Sequence, residues 1–261
     1  MADDLPLGRR VTPPTRYDPS VLRAIERQPA RRKLGIDDEL PFTGEDVWHG
    51  YELSWLAPSG VPRVGVLTLR IPAESTRIVE SKSLKLYLNG FSGETFEDAG
   101  RVARTIREDL TRETDREVRT SIRSSEEIDL PSDFTSFCLD ALPASAEHYE
   151  PATQLLIGLR ERGADAVHCP ITGQPDWGSV RIAYRGRLLD RVGVLRYLIS
   201  YRHAADFHEI VAERIFVDVL EAADATELTV DARYLRRGGI DINPFRSTNL
   251  AEGPPIRLPR Q

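Results

Sequence analysis

The segment SLKLYLNGF at residues 83–91 has a counterpart in VLRYLISYR at residues 194–202, a shift of 111 positions along the chain. The segments that follow, TFEDAGRVA at 95–103 and DFHEIVAER at 206–214, resemble each other at the same shift. Apolar residues recur at 84, 88 and 91, and again at 207, 211, 215 and 219, which is the spacing of a helix with one buried face. A pair of helices that recurs at a fixed distance indicates an internal duplication.

Segments rich in β-branched and aromatic residues flank both predicted helix pairs, and this composition is typical of strands. They are HGYELSWLAP (49–58), RVGVLTLRI (63–71), REVRTSIR (116–123), GSVRIAYRG (178–186), TELTVDARY (226–234) and GIDINPF (239–245). A repeated order of two strands, two helices and two strands predicts an α+β fold, in which antiparallel sheets are backed by helix pairs.

The boundaries of the predicted elements follow from the same patterns. We predict a helix from about Thr95 to residue 112 in the first half and a helix over 206–224 in the second. The other helix of the second half should bury one face, made of Leu188, Val192, Leu195, Leu198 and Ile199.

Four regions are predicted along the chain. Residues 1–45 are rich in proline and read as an extended arm with one short helix at Ser20–Glu26. Residues 46–130 and 166–261 hold the two repeats as an N-terminal and a C-terminal module. Residues 131–165 form a linker region, because the stretch around them is rich in Pro, Ser and Asp.

Composition limits the functions that are plausible. The chain is 40% hydrophobic and 29% charged, which is typical of a globular protein. Its two cysteines, Cys138 and Cys169, form no C-x-x-C motif, so we expect neither a disulfide framework nor a cysteine-rich zinc site. With no segment that resembles a signal peptide or a membrane span, a soluble protein of the cytoplasm is expected. The net charge of −6 argues against binding of extended nucleic acid but not of a small nucleotide.

The segment VHCPITGQPDWGSV at 167–180 carries the densest chemical signal. Its prolines and glycines favour a shaped loop before a strand, where the thiol of Cys169 can become a nucleophilic thiolate. Asp176, seven residues further on, is a candidate proton carrier. The alternative is that Cys169 is a small buried hydrophobic residue and Asp176 a turn residue, and the spacing alone favours this alternative.

His208 and Glu209 form a second candidate cluster at the start of a predicted helix. They lie away from the apolar face of that helix, in the first turn, where a carboxylate also suits the helix dipole. This position favours presenting them to a ligand or to solvent, and an exposed helix start explains the pattern at least as well.

Two further segments can bind a nucleotide. In VESKSLKLYLNGF, Lys82 and Lys85 lie one turn apart near a helix start, while Glu80 can accept hydrogen bonds from a base. The segment RRGG at 236–239 combines guanidinium groups with glycines that let a ligand approach the backbone. The alternatives are a solvated charged face and a hairpin turn with exposed arginines.

Several common sites are missing from the sequence. No G-x-G-x-x-G motif opens a strand-helix-strand unit, and no G-x-x-x-x-G-K-[ST] motif occurs, so a nucleotide must be bound in another way. The five histidines form no H-x-x-x-H pair, which disfavours a metal site.

Four of these segments together resemble one enzyme family. ESKSLKLY (80–87), HCPITGQPDWGS (168–179), FHE (207–209) and RRGGIDINP (236–244) are similar, in this order and spacing, to segments of the NADPH-dependent 7-cyano-7-deazaguanine reductases of queuosine biosynthesis. The resemblance is to the long, two-module form, covers roughly residues 42–249 and leaves the N-terminal arm unmatched. It implies two tandem tunnelling-fold modules, each with the order β-β-α-α-β-β.

The resemblance also implies roles for individual residues. Cys169 corresponds to the nucleophile that adds to the nitrile carbon to give a covalent thioimide, and Asp176 to the proton donor. The implied substrate-binding residues are Val79, Glu80, Ser81, His208 and Glu209. The implied NADPH-binding residues are Ser81, Lys82, Lys85, Arg237 and Gly238. No metal is implied, and the substrate is a small deazapurine. The N-terminal arm and the edges of the predicted sheets lead us to expect a homodimer.

Two other functions are compatible with the same fold. A GTP cyclohydrolase or pterin-type enzyme would bind zinc, so metal analysis distinguishes it from a reductase. A non-catalytic purine-binding module would tolerate replacement of Cys169 by serine. The sequence assigns no role to Cys138 beyond a structural one.

Overall fold

The computed structural model describes residues 14, 16–123, 139, 142, 150–156, 163–168, 175–204, 206–258 and 261, with the backbone alone at 163–168, 175 and 203. The described residues fall into two compact units. The first is drawn from Met1–Gln28, Asp46–Leu130 and Arg236–Asp241, and the second from Pro29–Glu45, Pro131–Leu235 and Ile242–Gln261. Cys138 and Cys169 lie outside the described residues.

The first unit contains an antiparallel sheet and two helices. The elements in chain order are β2 (Thr43–Leu56), β3 (Pro62–Pro72), β4 (Arg77–Val79), α2 (Ser81–Asn89), a 3₁₀ helix (Gly90–Gly93), α3 (Ala99–Thr114) and β5 (Arg119–Arg123). The sheet strands are hydrogen-bonded in the order β5-β3-β2, and β3 pairs with β5 in a register that sets Leu67 opposite Ile122. Helix α3 packs against β4 and β5.

The second unit has the order of two strands, two helices and two strands. The elements are β6 (Gly163–His168), β7 (Pro175–Arg185), α4 (Arg191–Ser200), α5 (His208–Ala222), β8 (Glu227–Tyr234) and β9 (Ile240–Ser247), with 3₁₀ helices at Thr153–Leu155 and Tyr201–His203. The strands are hydrogen-bonded in the order β9-β8-β7-β6, and each is antiparallel to its neighbour in that order. The predicted α+β class with antiparallel sheets is therefore confirmed. Strand β6 was not predicted.

The helix predicted at Ser20–Glu26 is wrong. A 3₁₀ helix spans Pro19–Val21, strand β1 spans Ala24–Glu26, and helix α1 spans Gln28–Arg32. Strand β1 pairs with β4 so that Ala24 lies opposite Val79. The extended conformation of 24–26 is thus fixed by hydrogen bonds to a distant segment, which local spacing does not reveal.

The start of each helix in the first unit is set by an acidic cap. Helix α2 begins two residues before the predicted Ser83, because the Glu80 side chain accepts hydrogen bonds from the backbone N–H groups of Lys82 and Ser83. Helix α3 begins at Ala99 and not at Thr95, because Asp98 accepts from the backbone N–H of Arg101.

Burial follows helical spacing in each unit. The fully buried apolar side chains of α3 are Val102, Ile106 and Leu110. In α4 the buried apolar residues are Val194, Leu195, Tyr197 and Leu198, so the predicted face is displaced. Leu188, predicted to lie on that face, precedes the helix and is 43% exposed. No helix in the described part of the chain is long and apolar enough to cross a membrane.

Candidate functional site

The segment that carries Cys169 lies between two paired strands. Strand β6 ends at His168, β7 begins at Pro175, and these two residues are opposite each other in the register. Asp176 therefore lies in β7, opposite Val167, and not in the loop that the sequence predicted to continue to Gly178. The predicted position of Cys169 falls outside the described residues, and its role stays a prediction.

Asp176 and His208 lie side by side in the second unit. The Nε2 atom of His208 is 3.5 Å from the Oδ2 atom of Asp176, and the two side chains are 17% and 12% exposed. Strand β7 supplies the carboxylate and the first residue of α5 supplies the imidazole. A partly buried carboxylate beside an imidazole can hold or transfer a proton.

Glu209 is buried in the first turn of α5, with 2% of its surface exposed. The alternative interpretation of FHE as an exposed helix start is therefore wrong for Glu209. A buried carboxylate costs free energy unless polar or positive groups compensate it, and the N-terminal turn of a helix is a favourable place for a negative charge. A carboxylate held here is suited to accept hydrogen bonds from a polar ligand.

Glu80 is fully buried in the first unit and caps α2. Its carboxylate oxygens accept from the backbone N–H groups of Lys82 at 2.7 Å and Ser83 at 2.8 Å. Burial raises the pKa of the Glu80 carboxyl above its usual value, and the two backbone hydrogen bonds oppose that rise. The interpretation of this segment as a solvated charged face is therefore wrong for Glu80.

Lys85 and the RRGG segment meet in the first unit. The segment forms a hairpin turn, since the backbone N–H of Arg237 donates to the Ile240 carbonyl at 2.9 Å. A Cβ atom at Gly238 would lie 3.2 Å from the Nζ atom of Lys85, which places that amine directly beside the turn. The hairpin-turn interpretation and the ligand-binding interpretation are thus compatible.

Residues of β2 support the same turn, and no sequence motif selected them. The backbone N–H of Tyr51 donates to the Gly239 carbonyl at 2.9 Å, and the Arg236 guanidinium lies 4.6 Å from the centre of the Tyr51 ring. The Tyr51 hydroxyl donates to the buried Asp241 carboxylate at 2.6 Å, and His49 Nδ1 lies 2.7 Å from the same carboxylate. Alternation along β2 places His49 and Tyr51 on one face, but their partner is distant in sequence.

A cavity of about 340 Å³ opens on the face of β7 that carries Trp177 and Ser179. Trp177 and Ser179 line it, together with Leu235 and Leu258. Successive residues of a strand face opposite sides, so Asp176 points away from this cavity. The cavity is therefore separate from the pair of Asp176 and His208.

The described side chains include no group of three or more His, Cys, Asp and Glu residues arranged to hold a metal ion.

Comparison with known proteins places the chain in a family. Residues 14–122 match the family model described as "Nitrile reductase, 7-cyano-7-deazaguanine-reductase N-term", and residues 175–252 match that of "QueF-like protein". The chain is similar to the NADPH-dependent 7-cyano-7-deazaguanine reductase of Bordetella avium, with 43% identity over 96% of each chain. The enzyme of the same name from Chromohalobacter salexigens is 46% identical over 98% of this chain and 96% of the relative.

The chain belongs to the 7-cyano-7-deazaguanine reductase family. A third relative of that name, from Desulfotalea psychrophila, is 43% identical over 98% of this chain and 97% of its own length. The family resemblance predicted from four short segments is confirmed. Its extent is corrected, because the match begins at residue 14 and includes most of the arm that the motifs left unmatched.

Proposed function

We propose that this protein reduces the nitrile of 7-cyano-7-deazaguanine to the aminomethyl group of 7-aminomethyl-7-deazaguanine with NADPH, as a step of queuosine biosynthesis for tRNA modification. The observation that carries the proposal is the pair of Asp176 and His208 next to buried Glu209, in a chain that belongs to a family of nitrile reductases. The relatives that match this chain over nearly their whole length are named for the same reaction.

Cys169 is the nucleophile in this proposal. A nitrile is a poor hydride acceptor, and addition of a thiolate converts it into a protonated thioimide whose carbon is electrophilic. The bond from Sγ to the nitrile carbon forms as one C–N π bond breaks, and the nitrogen takes a proton. The position of Cys169 directly after His168, which pairs with Pro175 one residue before Asp176, supports its role.

Asp176 supplies the proton for that nitrogen. Its Oδ2 atom lies 3.5 Å from His208 Nε2, so the imidazole can orient the carboxyl group or exchange a proton with it. After the first reduction Cys169 leaves as the thiolate, and the imine that it releases is reduced in turn. Covalent attachment keeps the half-reduced substrate away from water until that point.

Buried carboxylates provide the acceptors for the deazaguanine ring. We assign substrate binding to Glu80 and Glu209, and also to Val79, Ser81 and His208. Glu80 accepts one backbone N–H at each oxygen, and each carboxylate oxygen has a second lone pair that can accept an N–H of the base. Glu209 is equally buried and suits the same kind of donor.

NADPH fits the turn beside Lys85. Gly238 and Gly239 both have left-handed backbone angles, with φ of 60° and 81°, and a side chain on Gly238 would occupy the space next to Lys85 Nζ. Lys85, Arg237 and the backbone of Gly238 would hold the phosphates, and Ser81 and Lys82 at the start of α2 would complete the site. When bound, NADPH supplies the hydride for each reduction.

The larger organisation follows from the family. We assign the chain two tandem tunnelling-fold modules, at 46–130 and 166–261, joined by the region 131–165 and preceded by the arm 1–45. The order β6-β7-α4-α5-β8-β9 supports the second module. Among the described strands, β5 and β6 each have one sheet neighbour, and such edges favour a homodimer. A free thiol nucleophile and NADPH favour the cytoplasm, and the substrate is a free base and not a nucleic acid.

The test is turnover of 7-cyano-7-deazaguanine, followed by the loss of reduced-nicotinamide absorbance. The wild-type protein should oxidise about two NADPH per nitrile, because a nitrile becomes an amine by two hydride transfers. Cys169→Ala should abolish the reaction and Asp176→Ala should nearly do so. Cys138→Ala is the matched control, since it removes the other cysteine, and it should retain activity.

Absence of turnover by folded wild-type protein would overturn the proposal. Bound zinc, measured in the same preparation, would then favour a cyclohydrolase-type enzyme. Binding of the deazapurine that Cys169→Ser leaves unchanged, with no turnover, would favour a non-catalytic module.

A further inference from the structure

The imidazole of His208 lies flat against the ring of Tyr234. The ring centroids are 3.8 Å apart and the ring planes differ by 11°. Tyr234 ends β8 and is 1% exposed, so the surface on which the imidazole rests is rigid and buried. Contact over a whole ring face restricts rotation of the imidazole about its Cβ–Cγ bond.

Strand β7 leaves room for the Tyr234 ring at one position. The register sets Gly178 opposite Tyr234, and a Cβ atom on Gly178 would lie 2.9 Å from Cδ1 and 3.1 Å from Cε1 of the ring. The same Cβ would lie 3.2 Å from the Arg233 carbonyl oxygen, so the backbone of β8 blocks retreat on that side. A side chain at 178 must therefore displace the ring from its place against His208.

Gly178 is needed for space and not for backbone conformation. It is not among the glycines with positive φ, and it lies inside a regular strand where any residue can adopt the backbone angles. Glycine weakens a strand because it adds no side-chain packing. The Tyr234 ring, which lies against Gly178, explains why a glycine occurs two residues after Asp176.

Residues 176–178 of β7 therefore determine both contacts of the His208 imidazole, with Asp176 and with the Tyr234 ring. Asp176 supplies the carboxylate 3.5 Å from Nε2, and Gly178 admits the ring that fixes the imidazole plane. The hydrogen bond from the Leu235 backbone N–H to the Trp177 carbonyl, at 2.9 Å, holds the two strands together at this point.

We propose that Tyr234 and Gly178 are positioning residues of the reaction, which together hold the His208 imidazole in the plane that keeps Nε2 against Asp176. This inference rests on the proposed function, because it concerns the same pair of side chains. The contact is made by the face of the Tyr234 ring. Phenylalanine at 234 therefore preserves the function of the residue, and an aliphatic side chain of similar size does not.

The experiment compares Tyr234→Phe, Tyr234→Leu and Gly178→Ala in steady-state reduction of 7-cyano-7-deazaguanine. Tyr234→Phe should stay within about twofold of wild type, whereas Tyr234→Leu and Gly178→Ala should each lose about tenfold in kcat, the worth of one aromatic pair. The KM for NADPH should not change. Gly178→Ala should cost little more in the Tyr234→Leu background, because the ring that it displaces is gone.

Two further readouts separate positioning from a general loss of structure. In a His208→Ala background, Tyr234→Leu should cause no further loss of kcat, whereas a merely structural role would still lower it. Proton NMR of histidine-labelled protein should show an upfield ring-current shift of the His208 imidazole protons, retained in Tyr234→Phe and lost in Tyr234→Leu.

The outcomes distinguish this inference from the proposed function. If wild-type protein turns over the nitrile but Tyr234→Leu and Gly178→Ala match it, or Tyr234→Phe is as impaired as Tyr234→Leu, the positioning role is wrong and the proposed function stands. If wild-type protein does not turn over, the proposed function fails and the catalytic role of this contact fails with it, even where the NMR shift confirms the geometry.

Discussion

Helices α3 and α5 begin within similar segments, TFEDAGRVA and DFHEIVAER, but their first turns differ. Helix α3 is capped by the exposed side chain of Asp98, which accepts from the Arg101 backbone N–H at 2.7 Å. At the corresponding end of α5, Phe207 makes no side-chain cap hydrogen bond among the described residues. The acidic residue that aligns with Asp98 is Glu209, which is buried inside the helix.

The difference supports our proposal that the second copy of the pattern carries the chemistry. A side-chain cap stabilises a helix by about 1 kcal/mol, and burial of a carboxylate has a cost. The second copy lacks the cap and bears the cost, while it places His208 against Asp176 and Tyr234. Departures from local stability of this kind are expected at functional sites.

The largest expected effect is a difference in kcat/KM between substitutions at the start of α5 and substitutions at the start of α3. Glu209→Ala and His208→Ala should each lower kcat/KM by about 10- to 100-fold, because in the proposed function each side chain contacts the substrate or the reacting group. Glu97→Ala and Asp98→Ala, at the corresponding positions of α3, should leave kcat/KM within about twofold. Steady-state kinetics on the four variants checks this, and equal losses in both helices would contradict the comparison.

The next effect concerns the buried cap of α2. Glu80→Ala should lower the free energy of unfolding by about 1–2 kcal/mol, because two backbone N–H groups lose their acceptor in a buried place. Glu80→Gln is the control, since its amide oxygen can still accept one of the two bonds. Urea denaturation measures both variants, and a Glu80→Ala protein as stable as wild type would show that the cap contributes nothing.

A smaller effect is expected at the exposed cap of α3. Asp98→Ala should lower the free energy of unfolding by about 1 kcal/mol, and Asp98→Asn, which caps equally well, should have almost no effect. Chemical denaturation of the pair gives the difference. If Asn is as damaging as Ala, the charge and not the hydrogen bond stabilises α3.

The smallest effect is a dependence of stability on pH. Because burial raises the pKa of Glu80, the folded protein binds the proton more tightly than the unfolded chain. The stabilisation that comes from this tighter proton binding is therefore complete below the unfolded pKa of about 4.3 and is lost as pH rises through the folded pKa. The unfolding free energy of wild type, relative to that of Glu80→Gln, should therefore fall as the pH rises from the unfolded pKa through the folded pKa.

Asp115 gives the matched control of opposite sign. Its hydrogen bond with Arg77 lowers the pKa of the Asp115 carboxyl, so its contribution is present above the unfolded pKa and is lost as pH falls through the folded pKa. Relative to Asp115→Asn, wild type should therefore lose stability on acidification. The same direction for Glu80 and Asp115 would contradict the assigned burial of Glu80.

Most of the fold could be predicted from the sequence because most of it follows local periodicity. Strands β2, β3 and β7 and helices α2 to α5 lie where alternation or helical spacing indicated them. Strand β6, with the sequence GADAVH, lacks such a pattern and is recognisable only through its pairing with β7. Residues 24–26 form a strand for a similar reason, because their partners lie at 77–79.

The site was predicted less completely. Motifs selected Asp176, His208 and Glu209 by residue type, and the structure brings the first two together. No motif indicated that Tyr234 stacks on His208, because the contact depends on the register of β7 and β8 across a long sequence separation. The same is true of Tyr51 and Asp241 beside the RRGG turn.

The most direct test of covalent catalysis by Cys169 is the intact mass of the protein after incubation with 7-cyano-7-deazaguanine in the absence of NADPH. We expect an increase by the mass of one nitrile molecule, located on Cys169 by peptide mapping, absent in Cys169→Ala and retained in Cys138→Ala. An unmodified Cys169 in a preparation that reduces the nitrile, or an adduct on Cys138, would contradict it.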